Sequence, residues 1–187
     1  MIFAGTPEVA LPTLMALDSS AHEVVGILTR LDAPVGRSQT LSRSPVAQWG
    51  DEHSVPVLTA NRPDEQTRQA IAELAPEIGV IVAYGALLDA EMLTVPTRGW
   101  INLHFSDLPK YRGAAPVQRA LLLGESDIAT TVFQLVEAMD AGPLFDVEHH
   151  PVAPNATSGE VLDSLAHLGA HQVVRVLNDI AAGGLQA

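Results

Sequence analysis

The chain has 187 residues, with 10 Lys and Arg against 22 Asp and Glu for a formal charge of −12, and this length fits one domain. A hydrophobic share of 47% beside 17% charged residues supplies a real core and excludes disorder as the main state. Cysteine is absent, which excludes a disulfide framework, a thiolate metal site and a cysteine nucleophile, and the acidic total argues against nucleic-acid binding by the whole surface while leaving room for a local basic patch.

Short Val- and Ile-rich runs alternate with segments of helical period, a pattern that predicts βαβ units. The fold class is α/β: an open, mostly parallel, Rossmann-like sheet with helices on both faces. Residues 2–4 form a first strand ended by Gly5; Thr6 is placed to cap a helix and Pro7 to open it, with Val9, Leu11, Leu14 and Leu17 on its buried side. A second strand spans residues 23–29. Residues 31–45 (LDAPVGRSQTLSRSP) show neither period and read as a long loop. A short helix at 46–52, a short strand at Val57 and Leu58, and a helix over 63–74 follow. The apolar run at 79–83 (GVIVA) is of the kind expected for a central parallel strand.

Tyr84-Gly85 breaks that strand, residues 89–93 make about one helical turn, and residues 100–104 (WINLH) form the next strand, interrupted by polar Asn102. A helix is expected over 115–123 and strands over 130–136 and 145–150. Thr157-Ser158-Gly159-Glu160 has the capping-box form and precedes a helix with Val161, Leu165, Leu168 and Leu177 on its apolar side, stopped by Gly183-Gly184. No apolar run reaches the roughly 18 residues of a membrane span, and the start lacks a basic leader; a soluble, cytoplasmic protein with no membrane partner is expected.

In an open parallel sheet, ligands bind beyond the carboxyl ends of the strands. Gly5-Thr6-Pro7, Tyr84-Gly85 and Asn102-Leu103-His104 fall at such ends. Residues two apart on a strand share a face, so Asn102 and His104 project together. After them come Ser106, Lys110, Arg112 and two Gly/Pro turns, more polar equipment than a plain crossover needs. Met139-Asp140-Ala141-Gly142 then places a carboxylate at a sharp turn, and a carboxylate beside a His is a recurring way to fix a tautomer and stabilise an imidazolium.

At the level of motifs, Ala4-Gly5-Thr6-Pro7-Glu8, Gly36-Arg37, Ser44-Pro45-Val46, Val82-Ala83-Tyr84-Gly85, Ile101-Asn102-Leu103-His104, Arg112 to Gln118 (RGAAPVQ) and Met139-Asp140-Ala141-Gly142 resemble the methionyl-tRNA formyltransferases over essentially the whole chain. These belong to the wider set of enzymes that use 10-formyltetrahydrofolate. The Asn-x-His pair with a downstream Asp identifies the chemistry; the start motif, the Gly-Arg loop and RGAAPVQ point to the tRNA-directed branch.

The resemblance implies transfer of a formyl group to the free amine of methionyl initiator tRNA, with Asn102, His104 and Asp140 as the catalytic trio. Asn102 and a protonated His104 would donate to the oxygen that gains charge, and His104, or a water held by His104 and Asp140, would move the proton. In that reading Asp140 orients and charge-partners His104. The folate is expected beside Ser106, Asp107, Leu108 and Pro109 and near Tyr84, Gly85 and Leu87, with no metal and no nicotinamide. Asp107 departs from the family's Ser-Leu-Leu-Pro turn and sets a carboxylate near the cofactor's own anionic tail.

For tRNA, the implied contacts are Arg37, Arg43 and Arg112. Residues 30–45 hold Arg30, Arg37 and Arg43 against Asp32, a cationic window in an acidic chain. Lys110, Arg112 and Arg119 make a second cluster. The whole of residues 1–187 reads as the catalytic domain; the family's β-rich C-terminal domain that helps hold tRNA is not encoded in it, so weak tRNA binding is expected, as is a monomer. His167 and His171 stand four apart on a helix but with no third ligand in view, and His149-His150 read as surface. The rival readings are another 10-formyltetrahydrofolate enzyme acting on glycinamide ribonucleotide or an amino-sugar nucleotide, release of formate to water, and a folate-binding module without turnover.

Overall fold

The computed structural model describes residues 1–36 and 39–184. In chain order the strands are β1 (Ile2–Gly5), β2 (Gly26–Thr29), β3 (Ala33–Val35), β4 (Thr40–Ser42), β5 (Val57–Thr59), β6 (Gly79–Val82), β7 (Trp100–His104), β8 (Asp127–Gln134) and β9 (Leu144–Pro151). The helices are α1 (Leu11–Asp18), α2 (Pro45–Glu52), α3 (Glu65–Glu73), α4 (Ala90–Leu93), α5 (Pro116–Leu122) and α6 (Ser158–Ala181).

Seven strands make one sheet in the order β5-β2-β1-β6-β7-β8-β9. The first five run parallel, and β8 and β9 join antiparallel at one edge. β1 and β6 are buried along their whole length, which is why they read as unbroken apolar runs. Side-chain alternation splits the core in two. Phe3, Ile101 and Leu103 pack with Leu14 and Leu17 of α1 and with Val173 and Val176 of α6. Ile2, Ala4 and Trp100 pack on the opposite side with Ile71 of α3 and Met92 of α4.

Trp100 is fully buried and its indole N–H donates to the Met92 carbonyl at 2.9 Å. A Cβ on Gly79 would stand 2.1 Å from that indole, so the neighbouring strand must carry glycine there. Truncating a side chain this size in a core costs about 3–5 kcal/mol. Ser44, Asp64, Asp89 and Thr157 cap α2, α3, α4 and α6 through side-chain oxygens, each worth about 1 kcal/mol. Thr157 and Glu160 complete the capping box that the sequence predicts.

Several expectations are corrected. Residues 31–45 are not a plain loop, because β3 and β4 form a two-stranded antiparallel ribbon in which Pro34 is tolerated at an edge. Thr6 caps no helix: a 3-10 turn at Glu8–Ala10 precedes α1, and the Thr6 hydroxyl donates to the Tyr84 carbonyl at 2.8 Å. β2 starts only at Gly26, and β8 starts at Asp127, earlier than its β-branched stretch suggests. Leu168 is 43% exposed rather than on the buried side of α6.

Candidate active site

β7 delivers Asn102 and His104 to one face, since Leu103 between them turns to the other side, against Gly169 of α6. His104 is buried, at 8% exposure. Its Nε2 lies 3.1 Å from the Tyr111 carbonyl, an acceptor only, so Nε2 carries the hydrogen and the neutral ring keeps its lone pair on Nδ1. Nδ1 in turn stands 3.9 Å from Asp140 Oδ2. Burial pushes the His104 pKa below its ordinary 6.5; the Tyr111 carbonyl and the Asp140 charge oppose that shift, and Arg119 adds to it. The ring is therefore neutral near pH 7.

Asp140 sits in the β8–β9 connection with φ +45°, a left-handed conformation that Asp tolerates. The Gly113 amide donates to its Oδ2 at 2.7 Å, which fixes the carboxylate opposite the imidazole. Asn102 is half-buried and its side-chain amide has no hydrogen bond among the described residues. It leaves two N–H donors free for a ligand beside His104.

The segment after β7 is tightly cross-braced. Ser106 is buried; its hydroxyl donates to the Lys110 carbonyl at 2.7 Å, and Thr131 of β8 donates to the Ser106 carbonyl at 2.7 Å. Ser106 is therefore a brace of the turn. Leu108 is buried and the Leu108–Pro109 peptide is cis. Asp107 turns its carboxylate to Lys110 Nζ at 3.4 Å and to His149 Nε2 at 3.9 Å, so its charge is offset locally.

Tyr84 differs from expectation in one respect. Its ring is buried in the α3 and α4 side of the core and its hydroxyl donates to the Ala60 carbonyl at 2.6 Å, with burial pushing its pKa up to about 12. Only backbone at Tyr84 is left to face a ligand. Gly85 has φ +83° and its carbonyl accepts from Arg30 Nη1 at 3.3 Å, while Leu87 is 75% exposed at the same rim.

Residues 1–177 match the formyl transferase family model. The chain belongs to the formyl transferase family. It is 50% identical over 188 residues to the methionyl-tRNA formyltransferase of Salinispora tropica, covering 100% of this chain and 61% of that protein. With the methionyl-tRNA formyltransferase of Clavibacter michiganensis it shares 48% over 187 residues, again 100% of this chain and 61% of the relative. The chain thus spans about three-fifths of the length of these curated relatives. Among solved structures, the phosphoribosylglycinamide formyltransferase of Anaplasma phagocytophilum aligns with a TM-score of 0.81 at 18% identity, covering 99% of this chain and 87% of that one. That of Bacillus halodurans aligns with a TM-score of 0.77 at 18% identity, covering 96% and 93%. At such identities these two structures speak for the fold, and the open formyl transferase sheet is the fold observed.

Within this formyl transferase fold the arginines divide. Arg37 lies outside the described residues. Arg43 is already engaged: Nη2 donates to Asp51 Oδ1 at 3.0 Å, Nε lies 2.7 Å from Oδ2 at too poor an angle for a hydrogen bond, and Asp32 is 4.0 Å away. Asp51 comes from α2, beyond residues 30–45, so the cationic character of that window is partly offset from outside it. Arg112 is exposed with no side-chain partner among the described residues. Arg119 stacks 5.7 Å over the Tyr111 ring and donates to the Arg112 carbonyl. His167 and His171 do not meet a third ligand, and no group of three metal-ligating side chains forms among the described residues.

Two residues take parts at the site that their sequence motifs do not specify. Tyr111 contributes a backbone carbonyl, which no side-chain motif advertises, and Thr6 contributes a hydroxyl that pins the Tyr84 turn. The place of Thr6 before Pro7 at a strand end is the signal the sequence offers, and the same position suits a helix cap.

Proposed function

We propose that this chain transfers the formyl group of 10-formyltetrahydrofolate to the amino group of methionyl initiator tRNA, in the cytoplasm and without a metal, with Asn102, His104 and Asp140 as its catalytic groups. The observation that carries the reading is the unpaired Asn102 amide on the same face as His104, a buried imidazole whose Nδ1 faces a carboxylate at 3.9 Å. The choice of acceptor is supported by the names of the relatives that share about half of the chain's residues.

The folate, as co-substrate, supplies a one-carbon unit activated on nitrogen. Asn102 donates its free N–H to the formyl oxygen as charge builds there, an arrangement typically worth about 10²–10³ in rate. His104 accepts at Nδ1 the proton that the amine sheds on bond formation and returns it to the departing nitrogen. Asp140 stabilises the transient imidazolium. Because the resting ring is neutral, it acts first as a base, and oxyanion donation falls to Asn102.

The residues expected around a folate are compatible with one: Gly85 and Leu87 offer an open backbone turn and an exposed apolar side chain, and the braced turn at residues 106–110 follows directly on His104. Arg112 is the best-placed free cation for the acceptor's phosphates, and Arg37 keeps the role expected from its motif. The test is formyl transfer from 10-formyltetrahydrofolate to methionyl-tRNA, glycinamide ribonucleotide and an amino-sugar nucleotide, side by side. Transfer to methionyl-tRNA alone is expected. Transfer chiefly to another acceptor, or to water, overturns the reading.

A further inference from the structure

The backbone at residues 110–113 is held group by group. Ser106 donates to the Lys110 carbonyl at 2.7 Å, His104 to the Tyr111 carbonyl at 3.1 Å, Arg119 to the Arg112 carbonyl, and the Gly113 amide donates to Asp140. Tyr111 itself has φ +55°, a region a bulky L residue seldom occupies unless its surroundings over-determine it. What over-determines it is its own side chain. The phenol donates to Glu125 Oε1 at 2.8 Å and the Arg119 guanidinium covers the ring. Glu125 is brought there by the end of α5, where Gly124 takes φ +79° and the Glu125 amide returns to the Ala120 carbonyl at 3.1 Å.

We infer that Tyr111 and Glu125 are positioning residues for His104: their hydrogen bond holds the Tyr111 carbonyl where it selects the Nε2–H tautomer and aims the Nδ1 lone pair at Asp140 and the transferring group. The inference rests on the reading of His104 as the proton acceptor of formyl transfer. Around the imidazole, the charged groups are Asp140 from the β8–β9 connection and Arg119 from α5; the Thr131 hydroxyl, opposite on β8, is spent on the Ser106 carbonyl. Among the described residues, the one backbone acceptor on Nε2 is that of Tyr111. Without it the two neutral tautomers are free to exchange, and the one with hydrogen on Nδ1 cannot accept a proton there.

The phenol and Glu125 form part of the wall of a cavity of about 230 Å³ that also meets Asp107, Asp127 and His149. Glu125 is only half-buried, so water reaches it when the phenol oxygen is removed, and the fold is expected to survive Tyr111→Phe.

The experiment uses this chain labelled with 15N-histidine. Long-range proton–nitrogen correlation spectra identify the His104 tautomer among the seven histidines, with His104→Gln giving the assignment. Wild type is expected to show Nε2–H, Tyr111→Phe and Glu125→Ala a mixture of both tautomers, and Glu125→Gln, whose amide oxygen still accepts from the phenol, a return towards Nε2–H. In formyl transfer, kcat should fall about tenfold in the first two variants with the KM for folate unchanged. The double variant should lose no more than either single one. A wild-type Nδ1–H tautomer overturns the inference outright, as does an unchanged tautomer in both single variants. The tautomer is read without turnover, so an inactive chain with the expected spectra would refute the proposed function and leave the positioning role standing.

Discussion

The Asp140 carboxylate stands 3.9 Å from His104 Nδ1 while it accepts a 2.7 Å hydrogen bond from the Gly113 amide. At that separation Asp140 acts on the imidazole as a charge and not as a hydrogen-bonded orienter. Orientation comes from the Tyr111 carbonyl on the other ring nitrogen. The gap at Nδ1 leaves that nitrogen open to a ligand nitrogen or a water, as the proposed proton transfer requires.

Asp140→Asn isolates that charge. Asn is at home with φ +45°, and its amide oxygen can still take the Gly113 hydrogen bond, so the fold should be kept. The expected result is a fall in kcat on the order of 10²-fold, comparable to His104→Ala, with a melting temperature close to wild type. Steady-state kinetics and a thermal melt check it. Normal turnover in either variant removes that residue from the catalytic set.

Much of the fold was legible because its determinants are local. The run 79–83 announces a strand covered on both faces, residues 100–104 coincide with β7, and Thr157 with Glu160 closes a capping box within one turn. Tertiary partners were not legible. The pairing of Arg43 with Asp51 crosses from the ribbon to the end of α2, and the acceptor for the Tyr84 hydroxyl, Ala60, belongs to the segment after β5, so neither partner shows in the local motif. The ribbon of β3 and β4 is three residues per strand, too short for a period-2 pattern to register. Tyr111 was invisible for a deeper reason: its contribution is a carbonyl, which every residue carries.

Acid should weaken this protein through buried His104 and half-buried His150. His104 and His150 both have folded-state pKa values pushed below 6.5, in each case mainly by burial. The unfolded chain therefore binds protons more readily, and stability is full above about pH 6.5 and declines as pH falls through the folded values. Urea midpoints from pH 8 to 5 should drop below 6.5, less steeply in His104→Gln. The acid limb of kcat/KM should likewise lie below 6.5, since the base must be unprotonated. An acid limb above pH 7 would contradict a buried neutral imidazole.

The two described arginines implied in tRNA contact should behave differently. Arg112→Ala removes an exposed, unpaired cation; the KM for tRNA should rise and the salt dependence of binding should flatten by about one ion. Arg43→Ala should do less, because Asp51 already holds that guanidinium. Conversely, Asp51→Ala should release Arg43 and steepen the salt dependence. Titrations of tRNA binding at several salt concentrations decide this, and equal effects of Arg43→Ala and Arg112→Ala would mean that the Asp51 pair opens on binding.

Gly142, two residues after Asp140, tests whether the β8–β9 turn is what delivers the carboxylate. A Cβ there would lie 1.7 Å from the Gln134 carbonyl oxygen, and backbone cannot swing away as a side chain can. Gln134 is also bonded across the turn, its amide donating to the Pro143 carbonyl at 2.9 Å, so Gly142→Ala must prise the turn open just where Asp140 leaves it. Overpacking of this kind costs on the order of 1–3 kcal/mol. Gly159→Ala is the control: its Cβ would meet nothing nearer than Thr157 Oγ1 at 3.9 Å, inside α6, where Ala is favoured over Gly by about 1 kcal/mol. Gly142→Ala should lower both the urea midpoint and kcat, the latter towards the Asp140→Asn level, whereas Gly159→Ala should hold or raise the midpoint with kcat intact. If Gly142→Ala loses stability but keeps full turnover, Asp140 reaches His104 by a route other than this turn.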